Sequence, residues 1–308
     1  MAKMATREAY GKALAQLILE DKKIVVLDAD LSKSTKTADA KAVCPERHFN
    51  VGIAEGNMMG IAAGLASCGN TVFASSFAMF ATGRAYEQVR NSIGYTHLNV
   101  KICATHAGIT LGEDGASHQS IEDIALMRAI PGMTVIQPCD DIETKQVIQA
   151  ISKVNGPCYV RLGRSAVDTV NSENYVFEIG KGSVLRKGND ITLIATGMMV
   201  QQALLAATTL SEQGIEVNVI NIHTIKPLDE TLILEYAKKS KLVVTCEEHS
   251  KFGGLGSAVA ETLSKNHPIK MAMVAVNDTF GESGTPNALI EKYGLTAKDI
   301  VKTVLESI

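Results

Sequence analysis

One acid stands where two patterns meet. In Arg47-His-Phe-Asn-Val-Gly-Ile-Ala-Glu55-Gly-Asn-Met-Met-Gly-Ile-Ala-Ala-Gly-Leu-Ala66, a short apolar strand gives way to a helix of small residues, and Glu55 sits at the change. Ile53, Met58 and Met59 would strip water from that carboxylate, while the helix start offers it a positive end. Burial disfavours its charge and the dipole favours it, so a bound group sharing its proton would decide the balance. Taken alone, such a glutamate also reads as a cap or as one half of an ion pair. A second constellation runs Ala104-Thr-His106-Ala-Gly-Ile-Thr-Leu-Gly-Glu-Asp114-Gly-Ala-Ser-His118-Gln. It puts two histidines and an aspartate on one loop beyond a strand's carboxyl end, where open α/β sheets hold ligands. One histidine there is commonly structural or simply exposed. Two around a Gly-Glu-Asp-Gly turn point to polar recognition of a hydroxylated substrate. Arg7 and Arg164 read by themselves as solvated cations. Phe77 and Phe80, three residues apart, read equally as a stacking surface or as helix-face core.

The elements that must hold these groups alternate in type. Strand patterns fall at Ile24-Val-Val-Leu, Thr71-Val-Phe-Ala, Val100-Lys-Ile-Cys and Met133-Thr-Val-Ile. Helical patterns cover 7–19, with Thr6 as cap, then 55–67, closed by Gly69, then 85–93, 121–129 and 142–152. A polar stretch follows, with short strands expected at Tyr175-Val-Phe and Ser183-Val-Leu. The alternation restarts at Ile191-Thr-Leu-Ile-Ala. A helix over 200–213 stops at Gly214, and strands at Val217-Asn-Val-Ile, Leu242-Val-Val-Thr-Cys and Met271-Ala-Met-Val-Ala follow. Lys251-Phe-Gly-Gly reads as a helix-entry turn, and Thr285-Pro286 and Thr296-x-x-Asp299 as helix starts. The fold class is therefore α/β, in two domains, each a mostly parallel sheet with flanking helices. The expected division is 1–164, a linker over 165–189, and 190–308.

The Glu55 segment resembles the pyrimidine-binding domain of thiamine diphosphate enzymes, and most closely the transketolase family. The loop resembles that family's Thr-His…Gly-Glu-Asp-Gly…His-Gln motif. The resemblance implies that Glu55 activates the cofactor by hydrogen-bonding a ring nitrogen of its aminopyrimidine, with Phe80, then Phe77, packed on that ring. It gives His106, Asp114 and His118 roles on the sugar, His106 and His118 also handling protons. Arg7, in Ala-Thr-Arg, Ser34, in Asp30-Leu-Ser-Lys-Ser, and Arg164, at a strand end, match positions that bind the sugar phosphate. Residues 190–308 match the family's C-terminal domain, including His223-Thr-Ile-Lys-Pro-Leu-Asp229, where His223 and Lys226 read as structural.

Half of the family's site is missing. The diphosphate and Mg²⁺ grip needs Gly-Asp-Gly, which occurs nowhere in this chain, and no P-loop replaces it. The resemblance thus implies the C-terminal subunit of a split transketolase. It would be active with an N-terminal subunit carrying the diphosphate and Mg²⁺ site, by default as an α₂β₂ complex, in the pentose phosphate pathway. The reaction implied moves a two-carbon ketol unit from a ketose phosphate to an aldose phosphate. Gly83, where transketolases carry tyrosine, and Arg84-Ala-Tyr86-Glu-Gln resemble 1-deoxyxylulose-phosphate synthase, an enzymatic alternative. The β subunit of a 2-oxoacid dehydrogenase is another, and a regulatory or scaffolding subunit is the non-enzyme alternative.

Composition narrows the classes further. The net charge is −3 with both signs interspersed, which argues against nucleic acid as a partner. No apolar run approaches a membrane span and the N-terminus has no signal-peptide profile, giving a cytoplasmic expectation. Six cysteines (Cys44, Cys68, Cys103, Cys139, Cys158 and Cys246) lack Cys-x-x-Cys spacing and read as reduced thiols.

Overall fold

The computed structural model describes residues 3–308. Continuous β-branched and apolar runs such as Ile24–Asp28 are buried along their whole length, as expected of strands covered on both faces. Among the described residues seven strands form the first sheet. Their order is Thr224–Lys226, Thr134–Ile136, Cys158–Arg161, Val100–Ala104, Thr71–Ser75, Ile24–Asp28, His48–Asn50. All neighbours pair in parallel except the first two strands, which are antiparallel. Six strands therefore end on the same edge. Helix Glu55–Ser67 covers one face through Met58, Met59 and Ala62, and helix Thr6–Glu20 covers the other through Tyr10, Leu14 and Ile18.

A second sheet runs Met271–Val276, Leu242–Ser250, Ile191–Ala195, Val217–Asn221, Ser183–Arg186, parallel except for its last pair. The two sheets are not independent. Strand Thr224–Lys226 leaves the second domain to extend the first sheet, and Lys226 Nζ donates to the carbonyls of Arg128 and Ile130 at 2.8 and 2.6 Å. His223 is buried against Phe177, with ring centroids 4.5 Å apart. Both residues are structural in this arrangement. No helix of the described residues is long and apolar enough to cross a membrane.

Most local signals act where expected. Gly69, at φ 88°, ends its helix as the N–H groups of Gly69 and Asn70 turn back onto the carbonyls of Ala66 and Leu65. Thr285 caps helix Pro286–Lys292, and Thr296 with Asp299 forms a reciprocal capping box. Three expectations are corrected. Thr6 is not a cap: it is already helical, and its hydroxyl accepts from the Gly163 N–H at 2.8 Å, tying the helix start to a strand end. The helix over 85–93 is wound as π turns at Phe80–Arg84 and Val89–Gly94 around one α turn. There Thr82 Oγ1 bonds back to the Ala78 carbonyl at 2.7 Å, competing with the regular ladder. Tyr175 to Phe177 is no strand, because the Gln146 amide takes up both the Tyr175 carbonyl and the Phe177 N–H that a ladder would use.

Candidate active site

The candidate groups gather at the shared carboxyl edge of the first sheet. Strand His48–Asn50 feeds the turn into Glu55, and Thr71–Ser75 feeds Phe77 and Phe80. Val100–Ala104 feeds the loop of His106 and His118, Cys158–Arg161 leads to Arg164, and Ile24–Asp28 leads to Ser34. Buried Asp28 shapes that last turn, accepting from Leu31 N and from the hydroxyls of Thr35 and Thr37 at 2.6 to 2.9 Å. Arg7 reaches across from helix Thr6–Glu20, and its Nη1 donates to the Ser34 carbonyl at 2.8 Å.

Glu55 is 1 % exposed. Arg84 Nη1 lies 2.9 Å from its Oε2, while Oε1 has, among the described residues, only the Ser76 hydroxyl at 3.4 Å. The same guanidinium lies over the Phe80 ring, 4.4 Å from its centroid. Phe80 stacks near-parallel with Phe77, 6.1 Å away at 15°. The rings then connect to the histidines. Ala78 N donates to the Thr105 carbonyl and Thr105 N to Ser76, which lays His106 flat on Phe77 at 3.9 Å between centroids. His118, half-buried, sets its edge to Phe80 at 5.1 Å and to Phe77 at 6.5 Å.

His106 is strained and dry. Its φ of 59° is a left-handed conformation that costs a non-glycine residue free energy, and its Nδ1 lies 2.8 Å from Thr105 Oγ1. Burial, then the positive charges of Arg7 and Arg164, hold its pKa at about 3, so it is a neutral imidazole at physiological pH. Those two guanidiniums are close enough that the charge of Arg164 also bears on Arg7. Arg7 Nε is buried with no hydrogen-bond partner among the described residues. Like charges brought together around an unused donor suit an anion. Arg164 also donates to the Leu111 carbonyl at 2.6 Å and pairs with Glu113 at 2.9 Å. Asp114 is exposed at the loop tip with no side-chain bond among the described residues, and Arg164 pairs with the neighbouring Glu113.

Arg84 and Ser76 on Glu55 were not assigned roles from sequence. The signal for Arg84 was present: four residues past Phe80 puts it on the same helical face. The buried Arg161–Asp123 pair and Glu248 had no local signature, since their partners lie far along the chain.

Family profiles for the transketolase pyrimidine-binding domain and the transketolase C-terminal domain match residues 2–169 and 180–300. A Methanocaldococcus jannaschii chain assigned as a transketolase C-terminal section is 52% identical, over 97% of this chain and 95% of that one. The 6-deoxy-6-sulfo-D-fructose transketolase subunit of Clostridium sp. strain MSTE9 is 45% identical, over 97% and 93%. A solved split-gene transketolase, described as an inactive β4 tetramer, superposes with a TM-score of 0.93 at 55% identity, covering 99% of this chain and 98% of that one. Fold and site thus define a two-domain α/β chain with a pyrimidine-binding domain. The chain belongs to the transketolase family.

Membership implies thiamine diphosphate as cofactor. The residues fit its aminopyrimidine end: a buried carboxylate stands beside two near-parallel aromatic rings. Among the described residues no group of three His, Cys, Asp or Glu side chains is placed to hold a metal ion.

Proposed function

We propose that this chain is the C-terminal subunit of a split transketolase that moves a two-carbon ketol unit from a ketose phosphate to an aldose phosphate. The observation that carries the reading is one unbroken row of contacts. It runs from buried Glu55 through Arg84 to Phe80, then to Phe77, His118 and His106, and the charges of Arg7 and Arg164 bear on His106. Thiamine diphosphate supplies the carbon nucleophile for such a transfer when bound. Glu55 would hold a proton against a ring nitrogen of the cofactor, and Oε1 is its less committed oxygen. Phe80, more open than Phe77, offers the ring face.

On the substrate side, neutral His106 can give or accept a hydrogen bond at a sugar oxygen but has no imidazolium proton to donate. His118, half-exposed beside the rings, is then the better proton carrier of the two. Asp114 is free to meet a hydroxyl, and Arg7, Arg164 and the Ser34 turn would seat the phosphate, for which a planar fork is suited. A sulfonate, as the name of the Clostridium relative implies for its own substrate, presents a similar trio of oxygens. The missing diphosphate and Mg²⁺ grip would come from an N-terminal subunit, by default in an α₂β₂ complex. The description of the solved β4 relative as inactive supports a need for that partner.

The test is ketol transfer from xylulose 5-phosphate to ribose 5-phosphate with thiamine diphosphate and Mg²⁺. This chain is assayed alone and mixed with the N-terminal subunit. Transfer is expected only in the mixture, and Glu55→Ala should lower it by about 10²–10⁴. A complex that forms and holds cofactor yet transfers nothing would refute the reading and direct attention to pyruvate or sulfonated sugars.

A further inference from the structure

Every group in the row above belongs to the first domain, yet the loop bearing His106, Asp114 and His118 is fastened from the second. Glu248, 3 % exposed on strand Leu242–Ser250, accepts the Thr110 N–H on its Oε1 at 2.7 Å. Its carboxylate fills the space where a side chain at Gly108 would lie, so the loop approaches closely only because Gly108, at φ 79°, has none. Two residues on, Ser250 N donates to the Ile121 carbonyl at 2.7 Å.

The loop's far end is fastened in the same way. Gln119 Nε2, next to His118, donates to the carbonyls of Ile109 at 3.1 Å, Gly112 at 3.4 Å and Glu282 at 2.9 Å, and Glu282 lies in the second domain. Arg161 Nη2 bridges the carbonyls of Ser120 and Glu248 at 3.1 and 3.0 Å. Burial pushes the Glu248 carboxyl above the ordinary range, opposed by Arg161 and the Thr110 N–H. A dry acid is costly to keep, and here its side-chain acceptor is spent on one backbone amide of the loop.

We infer that Glu248 is a positioning residue for sugar recognition: with Gln119, it makes the second domain the clamp that sets the 106–120 loop. The sugar part of this inference rests on the functional reading above; the clamp itself does not. Glu248→Ala removes the acceptor of Thr110 N–H, whereas Glu248→Gln keeps an oxygen there. Gln119→Ala releases the other end without touching the buried acid.

Hydrogen exchange of the chain alone reads the clamp directly. Peptides over 106–121 should exchange about tenfold faster in Glu248→Ala and Gln119→Ala, and near the unmodified rate in Glu248→Gln. Peptides over Ile191–Ala195 should not change in any of them. In the complex with the N-terminal subunit, Glu248→Ala should raise KM for xylulose 5-phosphate about tenfold while half-saturation by thiamine diphosphate stays put. Glu248→Gln should restore the sugar KM. Unchanged loop exchange in both alanine variants would overturn the inference, and so would equal acceleration in Glu248→Gln and Glu248→Ala. An inactive wild-type complex with the exchange pattern as expected would instead sink the functional reading and leave the clamp standing.

Discussion

His106 shows how neighbours rather than residue type set chemistry. Burial and two nearby guanidiniums leave it unprotonated down to about pH 3, against an ordinary value of 6.5. Between those values the unfolded chain binds a proton that the folded chain refuses, so stability falls as pH drops through that window. His106→Gln should flatten the fall in urea midpoint between about pH 6.5 and 4. The His106 imidazole signals should also stay still from about pH 8 to 5. A titration near 6.5 would contradict the neutral assignment. At this scale the sequence marked Glu55, the two histidines and the arginines as candidates. It left open whether Glu55 was an ion-pair member, and in the structure Arg84 makes it one. The pairing of Arg164 with Glu113 was not legible, because it depends on how the loop's backbone turns its adjacent carboxylates.

Elements carry the next tier. Strand Cys158–Arg161 and helix Asp123–Ala129 are locked by a fully buried ion pair, Arg161 Nε to Asp123 Oδ2 at 2.7 Å, with the Tyr159 hydroxyl on the same oxygen at 2.6 Å. Burial opposes the charge on Asp123, but Arg161, His249 and the Tyr159 hydroxyl together hold the carboxyl below its usual range. Asp123→Ala would strand the guanidinium and should cost about 3–5 kcal/mol. That cost reads as a lower urea midpoint at unchanged slope; a loss near zero would mean that Arg161 finds water or another partner. Strand and helix existence was legible because buried parallel strands and small-residue helices have strong patterns. The π turns after Phe77 and the irregular path at Tyr175 were not. Each depends on a side chain competing with the backbone for one or two hydrogen bonds, and propensity does not register that contest.

For the whole molecule, the decisive property is incompleteness. A buried carboxylate beside two aromatic rings suits the pyrimidine end of the cofactor, and in the proposed function the diphosphate and Mg²⁺ grip lies on a partner subunit. Calorimetry should therefore show tight binding of thiamine diphosphate with Mg²⁺ only when the N-terminal subunit is present. Equally tight binding to this chain alone would show that the diphosphate grip lies here after all. The two sheets are also physically joined. Strand Thr224–Lys226 joins the first sheet and Glu248 reaches the 106–120 loop, so the second domain helps shape the candidate site.

The sequence by itself determined the α/β class, the two-domain plan and the placing of Glu55, the histidine loop and Arg164 next to strand ends. Those follow from periodicity and from motifs whose members are close along the chain. Only the tertiary structure decided that Arg84 holds Glu55, that burial and two arginines keep His106 neutral, and that Glu248 pins the loop. Each of these joins residues dozens to more than a hundred positions apart, through burial and charge that no local stretch of sequence contains.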